Sequence, residues 1–226
     1  TVIKLFHIGP RAFDRGYNLI TVDLPGQGML PWEGKYFRAA QHVAISAVID
    51  YAMNRPEVDP KKFTAYGISG GGGFAPQAAM NDPRIKAVAV TSAVVDAERL
   101  FGTMPVVTTT PKVLAGFTSF HRNVVKLVAY RWGVAADNIP GLVAANKGFT
   151  FDPAKVTVPM LILVGAGEYA DKEVKRQQTE CMSKLPNPKS KLVVTGFEDG
   201  ASSHCIGENR TLMAEILFDW LDDVLK

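Results

Sequence analysis

Gly67-Ile68-Ser69-Gly70-Gly71 is the stretch that most narrows what this chain can fold into. It follows the turn Val58-Asp59-Pro60 and the apolar Phe63-Thr64-Ala65-Tyr66, and it leads into Gly72-Gly73-Phe74-Ala75. The order is strand, sharp turn, helix. A serine on so tight a turn needs small neighbours at both flanks, because a Cβ there meets the strand or the helix. Its hydroxyl then stands free above the end of a sheet, with the amide of Gly70 at a helix N-terminus, where a developing oxyanion is favoured. Glycine-rich turns also occur as plain structural turns, so the rest of the chain must supply chemical partners.

Strand-like runs recur at Leu19 to Asp23, Phe63 to Tyr66, Ile85 to Val95, Val158 to Gly165 and Lys191 to Gly196. They are rich in Val, Ile and Leu and mostly lack polar alternation, the pattern of strands buried on both faces. Helical patterns lie between them. Phe37, Ala40, Ala44, Ala47, Val48 and Tyr51 are expected to share one helix face, and Leu212, Ile216, Leu217, Trp220, Leu221 and Val224 another. Strands alternating with helices predict an α/β fold, a doubly wound and mostly parallel sheet with helices on both sides. Residues 97–153 break the alternation with Met104-Pro105, the run Thr108 to Thr110 and a predicted helix Thr118 to Trp132 carrying Tyr130 and Trp132. The expected organisation is a core in two parts, 1–96 and 154–226, with 97–153 as a helical cap ahead of the acid-bearing strand.

The chain has 226 residues, 47% of them hydrophobic, enough for one sizeable core. Its net charge of +3 comes from scattered Lys and Arg, so a nucleic-acid partner is not expected. The longest apolar stretch, Val158 to Ala166, is far short of the ~20 residues of a membrane helix, so no membrane partner is expected either. Two cysteines, Cys181 and Cys205, imply no disulfide framework and suit a reducing, cytoplasmic setting. A homodimer stays open. Thr1 to Ile8 lacks the features of a secretory signal, and residues are expected upstream of Thr1.

A serine nucleophile needs a base to take its proton and a carboxylate to hold that base in the right tautomer. Of the four histidines, His7 and His42 precede the serine and His121 lies in the expected cap. His204 occupies the polar loop 197–205 between the last strand and the C-terminal helix, where a doubly wound sheet gathers its ligand groups, and is the expected base. One His-Cys dipeptide, His204-Cys205, lacks the further ligands of a zinc site, so no metal is expected. Glu168 ends the run Met160 to Gly167 and falls between serine and histidine in chain order, which makes it the expected acid. Asp171 is an alternative that would otherwise cap the next helix, and Asp96, after the preceding strand, is another.

Val22-Asp23-Leu24-Pro25-Gly26-Gln27-Gly28, the serine turn, Gly165-Ala166-Gly167-Glu168 and the late His204 resemble the α/β-hydrolase fold over essentially the whole chain. The Asp-Leu-Pro-Gly-Gln-Gly run, Glu57-Val58-Asp59-Pro60 and the Asp-Gly-x-x-x-His-Cys loop are similar to a narrower group that includes 2,6-dihydropseudooxynicotine hydrolase and the fungal polyketide-shortening hydrolases. The resemblance implies a serine hydrolase without cofactor, with Ser69 as nucleophile, His204 as base, Glu168 as orienting acid and Gly70 N–H at the oxyanion. Its substrate would be a small molecule, an ester, a lactone or a carbon-carbon bond next to a ketone, and for the last Asp96 or Glu98 would be an auxiliary acid. Glu stands at the acid position in place of the usual Asp. Acyl transfer or peptide cleavage by the same residues, and a non-catalytic receptor on this scaffold, are the rival readings. The resemblance also implies a strand between those at Leu19 and Phe63, ending in a loop with a second oxyanion amide. Too little chain separates Ile3 to Pro10 from Leu19 for a parallel crossover, so Thr1 to Arg15 is expected as a helix broken near Gly9-Pro10 and stopped at Gly16, and the chain as given is expected to be poorly active.

Overall fold

The computed structural model describes residues 2–103 and 115–226. Met104-Pro105 and Thr108 to Thr110 lie outside them. Among the described residues four strands, β1 (Thr64–Ile68), β2 (Ala87–Thr91), β3 (Met160–Gly165) and β4 (Lys191–Thr195), form one sheet in the order β1-β2-β3-β4, and every neighbouring pair is parallel. The described helices are α1 (Val2–Asp14), α2 (Gln41–Met53), α3 (Gly71–Asn81), α4 (Ala97–Thr103), α5 (Ser119–Trp132), α6 (Ile139–Ala145), α7 (Ala166–Tyr169), α8 (Lys172–Lys184) and α9 (Arg210–Val224).

The side-chain period of two sends alternate residues of the central strands to opposite helix layers. Ala87, Ala89, Leu161 and Leu163 pack with Ile8 and Ala12 of α1 and with Met213, Leu217 and Phe218 of α9. Val88, Val90, Met160 and Ile162 pack on the other face with Ile49 of α2, Ala75 and Ala78 of α3 and Cys181 of α8. β2 and β3 are buried at every position, which is why their sequences read as unbroken apolar runs. Each fully buried Leu or Ile here contributes ~1.5–3 kcal/mol, and truncating Leu161 to Ala costs ~2–5 kcal/mol because a cavity remains.

Three expectations are corrected. Leu19 to Asp23 is not a strand and joins no sheet among the described residues, although its burial still alternates. In α2 the inward residues are Gln41, Ile49 and Ala52 with Ile45 beside them, while Tyr51 is 64% exposed and Phe37 and Ala40 precede the helix. Apolar residues on several sides of α2 leave its periodicity ambiguous. α1 runs unbroken through Pro10 and is followed by Gly16 at φ 76°, a conformation that glycine adopts without steric cost.

The helices between β2 and β3 meet the serine turn through aromatic rings. Phe74 on α3 lies 5.4 Å from Phe37 and 5.8 Å from Phe149, and Phe37 lies 4.3 Å from Trp132 at the end of α5.

Candidate active site

Ser69 follows the last residue of β1 at φ 56°, in the left-handed region that non-glycine residues rarely occupy. The turn is held by Ser69 N–H donating to Thr91 O at 2.8 Å and by Gly72 N–H donating to Ser69 O at 2.7 Å. Glycine is required at Gly67, where a Cβ would collide with Gly71 O, and at Gly72, where it would collide with Ser92 O. Gly71 has open space around its Cβ position, so the small residue demanded on the helix side is Gly72. Gly70 opens α3 at φ −51°, ψ −25° as its N-cap, with the Phe74 ring 3.8 Å from where its Cβ would be.

The loop after β4 brings His204 to this serine. His204 Nε2 lies 3.1 Å from Ser69 Oγ, and His204 Nδ1 lies 3.0 Å from Glu168 Oε1. Two glycines permit the approach: a Cβ on Gly165 would collide with Ser202 O, and Gly167 N–H donates to that same oxygen at 2.9 Å. The turn that presents the acid is thus the surface on which the histidine loop packs. Two left-handed residues, Cys205 at φ 61° and Ile206 at φ 53°, follow His204 and fold the chain back into the core, where both are buried. Thr195 Oγ1 donates to Ala201 O at 2.5 Å and ties the loop to β4.

The electrostatics follow from burial and contact. Burial acts to raise the Glu168 carboxyl, and the hydrogen bond and charge of His204 with the hydrogen bond from Ser92 outweigh it, holding the group below the ordinary carboxylate range. The neighbouring Cys205 sulfur and the Glu168 carboxylate both raise His204 above the ordinary imidazole value. The Glu168 side chain is 14% exposed and His204 is 62% exposed, so the acid is shielded while the imidazole faces solvent.

Ser69, His204 and Glu168 come together, and other sequence candidates do not join them. Asp171 Oδ1 accepts from Glu173 N–H at 2.9 Å and Val174 N–H at 3.0 Å as the cap of α8. Asp96 Oδ1 accepts from Arg99 N–H at 2.9 Å at the start of α4, and Glu98 sits in the first turn of that helix. His42 pairs with Gln77 at 3.2 Å. The side chains of His7 and His121 lie outside the described residues. Ser92, which the sequence reading missed, donates to Glu168 Oε1 at 3.0 Å. Its signal was available: it is the first residue after β2, at the same sheet edge as Ser69 and Glu168. Behind it, Gln178 clasps the Ala93 main chain, accepting from its N–H at 2.7 Å and donating to its carbonyl at 2.9 Å. Gln177 does the same for Val95 and Asp96.

Among solved structures the chain is similar to 2,6-dihydroxy-pseudo-oxynicotine hydrolase, with a TM-score of 0.69 and 22% identity over 98% of this chain and 56% of that one. It is similar to AbyA5, at a TM-score of 0.62 and 16% identity over 96% of this chain and 58% of that one. An esterase from Pyrococcus furiosus gives a TM-score of 0.59 and 16% identity over 96% of this chain and 76% of that one. The fold is that of the α/β-hydrolases. This chain spans little more than half the length of the first two of these α/β-hydrolase structures. No family model and no curated protein matches it. None of the described helices is long and apolar enough to cross a membrane.

Proposed function

We propose that the protein is a serine hydrolase with Ser69 as nucleophile, His204 as general base and acid, and Glu168 as the group that orients His204. The observation that carries this reading is the continuous line Ser69 Oγ, His204 Nε2, His204 Nδ1, Glu168 Oε1, with steps of 3.1 and 3.0 Å, starting from a serine at φ 56°. Strained backbone of this kind persists where the surroundings enforce it, and functional sites are where it collects.

In this mechanism Ser69 Oγ attacks a carbonyl carbon while its proton passes to His204 Nε2. Glu168 fixes the tautomer that leaves Nε2 free and stabilises the imidazolium that forms. Gly70 N–H, at the start of α3, donates to the oxyanion. His204 then returns the proton to the leaving group, and water repeats the sequence on the acyl-enzyme. Every step uses side chains and amides of the chain itself, and we assign no cofactor. The Phe74 ring beside Gly70, packed with Phe37 and Phe149, favours a substrate with a small apolar or aromatic body. The bond cut is that of an ester, a lactone or a ketone with a stabilised carbon leaving group. We further propose that residues 97–153 act as a cap over the site, and that the chain works in the reducing cytoplasm, which suits the free Cys181 and Cys205. A panel of ester, lactone, β-diketone and aminoacyl substrates, run against the parent and Ser69→Ala, tests the reading. Turnover of an ester or ketone that the variant lacks supports it, and equal rates in both contradict it.

A further inference from the structure

The proposed cap, residues 97–153, is joined to the core near two stretches, 95–97 and 149–151, that are bound to each other. Ala97 N–H donates to Phe149 O at 3.1 Å, Phe151 N–H donates to Val95 O at 3.3 Å, and Asp96 pairs with Thr150 in an antiparallel bridge. Two buried glutamines grip this neck, one on each stretch. Gln177 of α8 holds the outgoing stretch. Its Oε1 accepts from Val95 N–H at 2.8 Å and Asp96 N–H at 3.1 Å, and its Nε2 donates to Asp96 O at 3.0 Å and Glu173 Oε1 at 2.9 Å. Gln77 of α3 holds the returning stretch. Its Nε2 donates to Thr150 O at 3.2 Å and Ala39 O at 2.8 Å, and its Oε1 meets His42 N–H and His42 Nδ1, each at 3.2 Å. The carbonyls of Ala39 and Thr150 only accept, so the Gln77 amide has one orientation and His42 Nδ1 carries a hydrogen. Each glutamine thus uses both amide hydrogens and both lone pairs of its oxygen. A buried amide so fully occupied is held in one place, because a shift leaves a desolvated polar group unpaired.

Both anchoring helices belong to the site. α3 begins at the Ser69 turn, and α8 follows the turn that carries Glu168. Gln77 therefore ties the neck to the helix of the nucleophile, and Gln177 ties it to the helix beyond the acid. Phe149 in the neck, and Phe101 one turn into α4, pack in the cluster with Phe74, whose ring adjoins Gly70. Glu173, which Gln177 reaches, also takes Arg99 of α4 at 3.2 Å and fastens that helix to α8. The place of the neck thus sets where the Phe149 and Phe101 rings stand relative to Ser69.

We propose that Gln77 and Gln177 are positioning residues for substrate selection: they lock the neck of the cap to the two helices of the site, and so fix the aromatic wall on which the acyl body of a substrate rests. Neither touches the reacting atoms. A small acyl group reaches Ser69 without that wall, whereas an aromatic one depends on it. This selectivity rests on the serine-hydrolase reading, whereas the locking of the neck does not.

The test compares p-nitrophenyl acetate with p-nitrophenyl benzoate in the parent, Gln177→Leu and Gln77→Met, with Ser69→Ala as the blank. The kcat/KM for benzoate divided by that for acetate is expected to fall about tenfold or more in each variant, mainly through KM, because a displaced wall loses positioning and leaves the chemistry intact. Both esters meet the same folded enzyme, so a lower folded fraction cancels in the ratio and a merely structural role leaves it unchanged. An unchanged ratio overturns the assignment for the residue concerned. Amide exchange reads the neck without turnover. The Ala97 and Phe151 amides, whose acceptors are Phe149 O and Val95 O, are expected to exchange at least about tenfold faster in each variant, with Val88 and Leu161 still protected. Unchanged exchange at Ala97 and Phe151 overturns the locked neck. A parent that turns over neither ester overturns the selectivity assignment together with the hydrolase reading for esters, and the exchange result still decides the neck.

Discussion

Ser92 Oγ and His204 Nδ1 meet the same atom, Glu168 Oε1, each at 3.0 Å. One carboxylate oxygen receives both the imidazole and a hydroxyl from the neighbouring strand end, while Oε2 is buried with no hydrogen-bond partner among the described residues. Ser92 thus helps to keep Glu168 ionised and aimed at His204.

Ser92→Ala is expected to lower kcat/KM about tenfold, the effect of one hydrogen bond to a charged group. The pH profile separates this role from packing. Loss of the donor lets burial raise the Glu168 pKa, so activity falls off at higher pH on the acid side of the profile, whereas a purely structural role lowers the rate equally at every pH. Gln178→Ala, which frees the Ala93 main chain that holds Ser92 in place, is expected to act in the same direction with a smaller effect.

For Glu168→Gln the sign follows from the raised pKa of His204. A base must be neutral to accept the Ser69 proton, so activity should rise with pH through a midpoint above the ordinary 6.5. Removing the carboxylate charge should move that midpoint down, while the loss of the oriented tautomer cuts the rate on the order of 10³- to 10⁴-fold. The stability linked to the raised imidazole is present below 6.5 and is lost as pH rises through the folded-state value. Paired pH-rate profiles of parent and variant check both the shift and its direction.

Ser69→Gly should be inactive yet more stable than the parent. The left-handed backbone at φ 56° costs a side-chain-bearing residue ~1–2 kcal/mol, and glycine relieves that while adding chain entropy to the unfolded state. A net gain of at most ~1 kcal/mol is expected in urea unfolding. Ser69→Ala, which keeps the strain, should match the parent.

Acid should unfold the protein through two buried carboxylates. Asp82 is held down at about 2 by Arg84, and Glu173 at about 2 by Arg176 with Gln177 and Arg99. Both folded-state values lie below the ordinary 3.8 and 4.5, so their contribution is present above those values and is lost as pH falls towards 2. Asp82 also receives Ser46 Oγ at 3.0 Å and so joins α2 to the end of α3. Asp82→Asn should flatten the stability decline between pH 4 and 2, read from urea midpoints at fixed pH values.

What the sequence could carry depended on how local each signal was. β2 and β3 were legible because strands buried on both faces spell unbroken apolar runs, and the serine turn because Gly67 is set by a contact with Gly71 in the same stretch. Leu19 to Asp23 has strand composition, but pairing belongs to a neighbour and not to the segment. Gly165 and Gly167 read as a turn, and only the folded chain gives them the Ser202 carbonyl they accommodate. Ser92 could have been found from its place right after β2, whereas Gln177 and Gln178 carry no sequence pattern, since their roles arise from the meeting of α8 with the end of β2.

The most direct test of the central claim is fluorophosphonate labelling of the folded chain, with the adduct mapped by peptide mass spectrometry. The account predicts one phosphonylated residue, Ser69, with labelling abolished in Ser69→Ala and slowed on the order of 10³-fold or more in His204→Ala. An unlabelled chain, an adduct on another serine, or labelling of Ser69 at the same rate without His204 would contradict it.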